Sequence, residues 1–522
     1  GDASSNARAF GDLVGEELMA SAGSCARILG QYVEVLTPAA KLEAQGKIPV
    51  LKKPLGVRKV HDQNVVKVMP EGFKEKQLWN GYTGEVWLQP GAEVVQCPLY
   101  SLPAEERAKK FGVSLILGAG NVNSIAVCDA LDKLLVENHV ALIKLNPVNA
   151  YSKPFLLDVF APFVEQNFFH LVEGGAKEGA YLTAHEVVED VHITGSCVTH
   201  DCIVWGPGEE GLHNKEINSP KLKKPITSEL GGVTPVMVAP GRWSRKDMLY
   251  QARSIAGMVL NNVSFNCIAA KLLVLDREWD QVEDFVAVLK ETLNAQPSRT
   301  AYYPGAVDRW NGFKEQYPQA EELSAGPVEG SAEPHLPVLF IDNVPPVEGE
   351  YALNVEAFAP VLAVTYLEGC GGKASEFIPA AVELVNSKVV GTLGCTLIID
   401  KSTEKENADV VDEAIEKLEY GTITLNAFTG IGFALGQTSW GAYPKHDLQN
   451  VGSGIGVVHN TFMLQNVQKS VIRAPFKMLM SVAAPWFPGH KNMLNFARNV
   501  FNFAVKPGLW RMLRTLFSAM RG

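Results

Sequence analysis

The sequence predicts an α/β protein built on parallel sheets with helices on both faces. Three observations predict it. Short, nearly continuous apolar runs alternate with segments of helical periodicity along most of the chain, as expected of strands buried on both faces. The 522 residues are 47% apolar and 20% charged, enough for a large core in an ordinary folded chain of two to four domains. The eight cysteines, at positions 25, 97, 128, 197, 202, 267, 370 and 395, have no framework spacing, which argues against a disulfide scaffold and for a reducing compartment.

The elements follow in order. Residues 7 to about 45 have helical periodicity, and Glu85 to Ser101 alternate around Pro90-Gly91, which predicts a strand pair. GVSLILGAG (112–120), the helical SIAVCDALDKLLVEN and HVALIKLN (139–146) then read as β, α, β. Helices near 153–165 and 178–190 flank FFHLVEGG (168–175), and DVHITGS (190–196) closes this unit. A second unit starts near Pro235: PVMVA, a helix over 245–259, KLLVLD, a helix over 278–293, and a Gly/Pro/Ala-rich surface section over 303–335. The strands LPVLFID, APVLAVTYLE, GTLGCTLIID and YGTITLN complete it, with helices over 373–387 and 405–418. Ligands are expected at the carboxyl ends of the parallel strands. No strict GxGxxG opens any of the helices, so a dinucleotide site has to be recognised by other means.

Six short motifs stand in one order: GAGN (118–121), IKLN (143–146), TGS (194–196), SELGG (228–232), SFNC (264–267) and EAF (356–358). Taken singly, Cys267 reads as one more buried thiol, Glu229 as a capping or paired carboxylate, Asn121 as a turn residue and Lys144 as a solvated strand-end lysine. Taken together and in order, the motifs resemble the aldehyde dehydrogenase superfamily over roughly residues 1–474. The resemblance implies a discontinuous Rossmann-type NAD(P)-binding domain (1–84 and 110–232), an oligomerisation arm of β structure (85–109 and 456–474) and an α/β catalytic domain (233–455). Residues 475–522 are left as a basic amphipathic helical extension.

The resemblance also assigns roles. Cys267 would be the nucleophile that attacks an aldehyde, with the Asn121 side chain and the Cys267 backbone N–H holding the oxyanion. Glu229 would be the base that activates water against the resulting thioester. Lys144 would bind the adenine ribose or a 2′-phosphate. Thr194, Gly195 and Ser196 form the strand-to-helix turn where the pyrophosphate approaches a helix N-terminus. Leu230 and Gly231 complete the cofactor stretch, Glu356 would bind the nicotinamide ribose, and Phe358 would pack beside the nicotinamide. The cofactor is NAD or NADP, because Pro147 stands where NAD-preferring relatives carry a ribose-binding Glu. The expected product is a carboxylic acid, since relatives that pass the acyl group to coenzyme A commonly lack the Glu at position 229.

Other departures define the rival readings. His200 replaces a glycine in the helix after TGS, Ser264-Phe265 replace the usual GQ, and Gly120 and Asn123 replace the Trp and Pro that flank the oxyanion Asn. An acylating, coenzyme A-linked enzyme and a degenerate subunit of a larger assembly are the alternatives to aldehyde oxidation. CVTHDC (197–202) crowds three metal-type ligands into six residues without a fourth partner, so no metal is expected.

Net charge is −10, unevenly placed. Of the 47 Lys and Arg, seven lie between Pro475 and Gly522, a stretch without Asp or Glu; the other 474 residues hold 40 basic side chains and all 57 acidic ones. An acidic body argues against nucleic acid as a partner. In the tail, Leu494, Ala497, Phe501 and Val505, then Leu509, Leu513, Leu516 and Met520, keep helical spacing, and no run approaches the ~18 apolar residues of a spanning helix. Such helices lie on a membrane surface, bind a protein partner or dock on their own acidic body. With an aldehyde as substrate, a homodimer or homotetramer is expected. The first residues show neither a basic n-region nor an apolar h-region, and the start at Gly1 leaves an upstream leader open. An intracellular location, cytoplasmic or organellar, is expected, peripheral to a membrane if the tail binds one.

Overall fold

The computed structural model describes residues 13–328, 334–478, 483–490 and 492–521. The chain opens with α1 (Val14–Leu18), which passes through a π-helical turn (Met19–Gly23) into α2 (Ser24–Glu43), with Pro38 inside it. Residues 7–12 of the expected first helix lie outside the described residues. β1 (Gly56–Val60) and β2 (Gln63–Met69) form a hairpin, followed by α3 (Gly72–Leu78) and β3 (Thr83–Leu88).

The first βα unit folds as the apolar pattern predicts. β4 (Gly112–Leu117), β5 (His139–Lys144), β6 (Phe169–Val172), β7 (Asp190–Gly195) and β8 (Ile226–Leu230) lie parallel in the order β8-β7-β4-β5-β6. Between them run α4 (Ile125–Leu135), α5 (Ala176–Ala184) and α6 (Cys197–Val204). α6 starts where the sequence places a cap: Ser196 Oγ accepts from Thr199 N at 3.2 Å.

The second unit holds β9 (Thr234–Val238), α7 (Arg245–Leu260), β10 (Ala270–Asp276), α8 (Val282–Asn294), β11 (Glu321–Leu323), β12 (Val338–Val344), β13 (Val361–Leu367), α9 (Ala374–Ser387), β14 (Gly394–Ile398) and β15 (Thr422–Leu425). α7 is fixed at its start by a capping box between Ser244 and Asp247. β16 (Gly454–Ile455) returns to the first sheet, antiparallel to β8. β17 (Val467–Arg473) joins the second sheet, whose eleven strands run β1-β2-β3-β17-β15-β14-β9-β10-β13-β12-β11.

Three expectations need correction. Glu85 to Ser101 holds one strand rather than a pair: β3 ends at Leu88 with β2 and β17 as its partners, and beyond it come an isolated bridge from Gln96 to Leu464 and a 3-10 turn over Pro98–Ser101. Alternation reports a half-buried strand but not its neighbour, and both edges of β3 are taken by distant segments. The hairpin β1–β2, placed by sequence with the cofactor domain, is hydrogen-bonded into the same sheet as β3 and β17. The section over 303–335 contains a helix, Ala306–Gln316, which buries Ala306, Trp310 and Phe313 on one face.

The tail forms α10 (Met493–Val505) and α11 (Leu509–Ala519). α10 buries Phe496 and Ala497 and packs on α1, the π turn and α2. The approach is close, since a Cβ on Gly15 would meet Met493 Cγ at 2.7 Å and Leu494 N at 2.9 Å. Upstream, Trp486 is buried and donates from Nε1 to Ser254 Oγ at 3.1 Å. Among the described residues no helix is long and apolar enough to cross a membrane.

Candidate active site

The carboxyl ends of the first sheet's strands bring the predicted residues together. Asn121 follows β4, Lys144 ends β5, Thr194 and Gly195 end β7, and Glu229 lies at the end of β8, paired in register with Thr194. Cys267 reaches the same point from the other unit, on the loop between α7 and β10. Its Sγ donates to Glu229 Oε1 at 3.5 Å.

Two recesses meet at this thiol. One is a cleft of about 1260 Å³ lined by Lys144, Gly195, Ser196, Gly231, Glu356 and Phe358, among others. The other is a cavity of about 130 Å³ with apolar walls that include Phe428, Ile431, Phe433, Trp486 and Met493. Asn121, Ile125, Glu229 and Cys267 line both. A thiol at the seam of a large cleft and a small apolar recess can be approached by two ligands from opposite sides.

Electrostatics set the resting state. Burial pushes the Cys267 thiol well up, the charges of Glu229 and Glu356 add to that, and Lys271 opposes it. Glu229 is also raised, first by burial and then by the charge of Asp129, against which Trp440, His459 and His192 act. The pair therefore rests as a thiol facing a carboxyl group of raised proton affinity, suited to passing one proton between them. Glu356 is raised to about 6 by burial, with Lys271 and Arg309 pulling the other way.

The backbone before Cys267 is strained. Asn262, Val263 and Ser264 all have positive φ, 52°, 56° and 66°, a conformation costly for residues with a Cβ and most of all for a β-branched one. Side chains hold the loop in place. Glu16 accepts from Asn262 N at 2.7 Å and from Arg299 Nη1 at 2.7 Å. Asn262 Nδ2 donates to Asn121 O at 3.1 Å, and Tyr302 Oη donates to Asn262 Oδ1 at 2.7 Å. Asn121 Nδ2 donates to Phe265 O at 2.9 Å, which ties the end of β4 to the same loop.

The cleft suits a dinucleotide. A Cβ on Gly231 would lie 2.1 Å from Glu356 Oε1, so only glycine leaves that carboxylate its place. Glu356 Oε1 is buried without a hydrogen-bond partner among the described residues, an acceptor suited to a hydroxyl. Arg309 fixes the EAF stretch by donating to Ala357 O at 3.1 Å and Phe358 O at 3.2 Å. Burial lowers the Lys144 ammonium, and Glu178 opposes the shift.

One predicted cofactor residue sits elsewhere, and a second turns its hydroxyl away from the cleft. Leu230 is buried in the core, its N–H bonded to Ser453 O at 2.8 Å, and is not among the cleft-lining residues. Thr194 reaches the cleft wall but directs its hydroxyl to buried Asp129, 3.2 Å away. His200 is fully buried and absent from the cleft lining, so it does not fill the cofactor space. Cys197 and Cys202 are exposed while His200 is buried, and CVTHDC does not converge on one point. Phe265 packs between Tyr302 and Phe358 at ring distances of 5.1 and 6.0 Å.

Sequence reasoning missed Glu16, Arg309 and Lys271. Lys271 is fully buried, donating to Asn266 O and Ala269 O at 3.1 Å each, and its charge favours the Cys267 thiolate. The available signal was a lysine inside the apolar run AAKLLVLD; buried lysines are rare without a task.

No protein-family model matches the chain. It is 29% identical over 133 residues to the 4-trimethylaminobutyraldehyde dehydrogenases of Rattus norvegicus and Mus musculus, a stretch that is 25% of this chain and 24% of each relative. Among solved structures it is similar to an aldehyde dehydrogenase mutant from Pseudomonas syringae with NAD⁺ and octanal: 15% identity, 91% of this chain and 89% of that one, TM-score 0.52. The Mycobacterium tuberculosis aldehyde dehydrogenase with NAD⁺ aligns at 16% identity over 90% and 88%, TM-score 0.53. A glyceraldehyde-3-phosphate dehydrogenase from Methanocaldococcus jannaschii with NADP aligns at 13% identity over 90% and 93%, TM-score 0.51.

Proposed function

We propose that this chain, which has the aldehyde dehydrogenase fold, is an NAD(P)-dependent aldehyde dehydrogenase that converts an aldehyde to a carboxylic acid at Cys267. The observation that carries the reading is the Cys267–Glu229 pair at the seam of the two recesses.

Glu229 Oε1 takes the thiol proton, and Lys271 favours the thiolate that results. The thiolate attacks the aldehyde carbon to give a thiohemiacetal, whose oxyanion falls to the Asn121 amide and the Cys267 N–H. Lys144, Gly195, Ser196, Gly231, Glu356 and Phe358 would hold NAD or NADP, which would supply the hydride acceptor. Once hydride has left and Glu229 has released the thiol proton to solvent, its carboxylate accepts a proton from the water that attacks the thioester, and Cys267 leaves as the thiolate. Glu229 thus serves twice, and its presence favours an acid product over transfer to coenzyme A. The apolar walls of the small recess favour a lipophilic aldehyde, and a tail surface that meets lipid belongs to the same reading.

Subunit pairing as a homodimer or homotetramer is part of this proposal. β17 is already bonded on both sides within its own chain, so pairing along this sheet would use an outer edge, that of β1 or of β11, and light scattering of the purified protein reads the mass. The test of the enzyme itself is NAD(P)⁺ reduction with aldehydes of rising chain length. C267A should abolish it while leaving the thermal melt in place, and turnover retained by C267A would remove the nucleophile assignment. A need for coenzyme A would favour the acylating reading, and failure to bind either cofactor a structural subunit.

A further inference from the structure

The geometry points to α11 as a helix that lies in the plane of an anionic lipid bilayer and sets the apolar recess beside it; this rests on the proposed oxidation of a lipophilic aldehyde and names where that aldehyde comes from.

The helix is turned opposite to what docking on its own body would require. Its inward face is Met512, Thr515 and Ser518, at 5% exposure or less. That face is held by Thr515 Oγ1 donating to Asn499 O at 3.2 Å and Asn492 Nδ2 donating to Ser518 O at 3.1 Å. Leu509, Leu513, Phe517 and Met520 form the outward stripe, 43–55% exposed, and Trp510 beside them is 78% exposed. Small polar residues allow close packing on α10, which leaves the large apolar side chains in water. A contiguous outward apolar stripe with an aromatic anchor marks an interaction surface.

Charge selects the occupant. Arg498, Lys506, Arg514 and Arg521 are exposed on α10 and α11, and the tail from Pro475 onward carries seven basic and no acidic residues, on a body with a net negative charge. Arg521 lies over the Phe517 ring at 4.4 Å, placing a cation at the edge of the apolar stripe. Basic edges around an apolar stripe match anionic headgroups over acyl chains. A second copy of this chain would present the same basic surface and be repelled. α3, against which α11 packs, adds Phe73, also strongly exposed. The tail further supplies Pro485, Trp486 and Met493 to the walls of the recess that holds Cys267.

The test uses the full-length protein, sedimented with extruded vesicles of phosphatidylcholine alone or mixed with phosphatidylserine. Binding to the mixed vesicles is expected, weakened by added salt, reduced about fivefold for each charge removed in R514Q and R521Q, and lost in L513E/F517E. All three variants change exposed side chains and should keep the wild-type melt and wild-type turnover of a short, water-soluble aldehyde. Binding indifferent to all three, or no binding to the mixed vesicles, overturns the proposal. A concentration-dependent dimer abolished by L513E/F517E overturns it in favour of a second copy. Vesicle binding needs no turnover, so a protein that binds without oxidising aldehydes refutes the enzyme reading and leaves the docking surface standing.

Discussion

Replacing Glu16 by Ala removes the carboxylate that pins the nucleophile loop. Its two oxygens accept from Arg299 Nη1 and Asn262 N, both at 2.7 Å. Three consecutive left-handed residues, Asn262 to Ser264, cost about 1–2 kcal/mol each in a non-glycine backbone, so the loop needs such restraints. Hydrogen bonds to a charged group contribute about 1.5–3 kcal/mol each. The pair is partly solvated, with Arg299 at 11% and Glu16 at 22% side-chain exposure, so the lower figure applies, giving about 3 kcal/mol for two bonds. If that energy is spent holding Cys267 in place, its loss lowers kcat/KM about a hundredfold. E16A should show that loss with its thermal melt nearly unchanged, because the cores lie elsewhere. E16Q keeps an acceptor for the Asn262 N–H and should recover about half of the effect on a logarithmic scale. Iodoacetamide alkylation of Cys267 without cofactor or aldehyde gives a second readout, and its rate should change in E16A. Wild-type kcat/KM and wild-type alkylation together would refute the reasoning and show that Asn121 and Tyr302 hold the loop unaided.

Further predictions follow from the same site. E229Q should accumulate thioester and release one equivalent of NAD(P)H in a burst before turnover stalls; undiminished steady-state turnover would remove Glu229 as base. Glu356, raised to about 6, is neutral below that pH and an ionised acceptor above it, so cofactor affinity should strengthen as pH rises through about 6 and be flat in E356Q. The sign for stability is opposite: a carboxyl group whose folded value is raised above its unfolded one stabilises the fold at low pH, and that contribution falls away as pH climbs to about 6. K271M removes the charge that favours the thiolate, so alkylation of Cys267 should slow at every pH below its titration. G231A places a Cβ against Glu356 Oε1 and should weaken cofactor binding at least about tenfold by overpacking, measured by fluorescence quenching.

Much of this was legible in the sequence because it is written in local periodicity. The apolar runs at 112–117, 139–144 and 190–195 are strands, and the motif residues stand at their carboxyl ends because loops there face the cleft. What stayed hidden depends on contacts between distant segments. Nothing local to Glu16 announces Asn262 or Arg299, more than two hundred residues away. The partners of β3 were invisible for the same reason, since alternation names a face and not a neighbour. The inward placing of His200, away from the cleft, was hidden because one dimension does not tell the inner from the outer side of α6. In the tail the helical stripe was plain, but which side faces inward is decided by Thr515 and Ser518 packing on α10.

The apolar recess beside Cys267 takes its walls from segments far apart in the described chain, Glu16 to Ser24 on one side and Pro485, Trp486 and Met493 on the other. During synthesis the sheets bearing Glu229 and Cys267 emerge and pair while the last wall is still inside the ribosome. The nascent protein therefore carries the Cys267 thiol in an unroofed pocket until the segment around Met493 has emerged. A chain cut before Pro485 lacks that wall and leaves the recess open, so an alkylating probe at Cys267 reports whether Pro485, Trp486 and Met493 have closed on it.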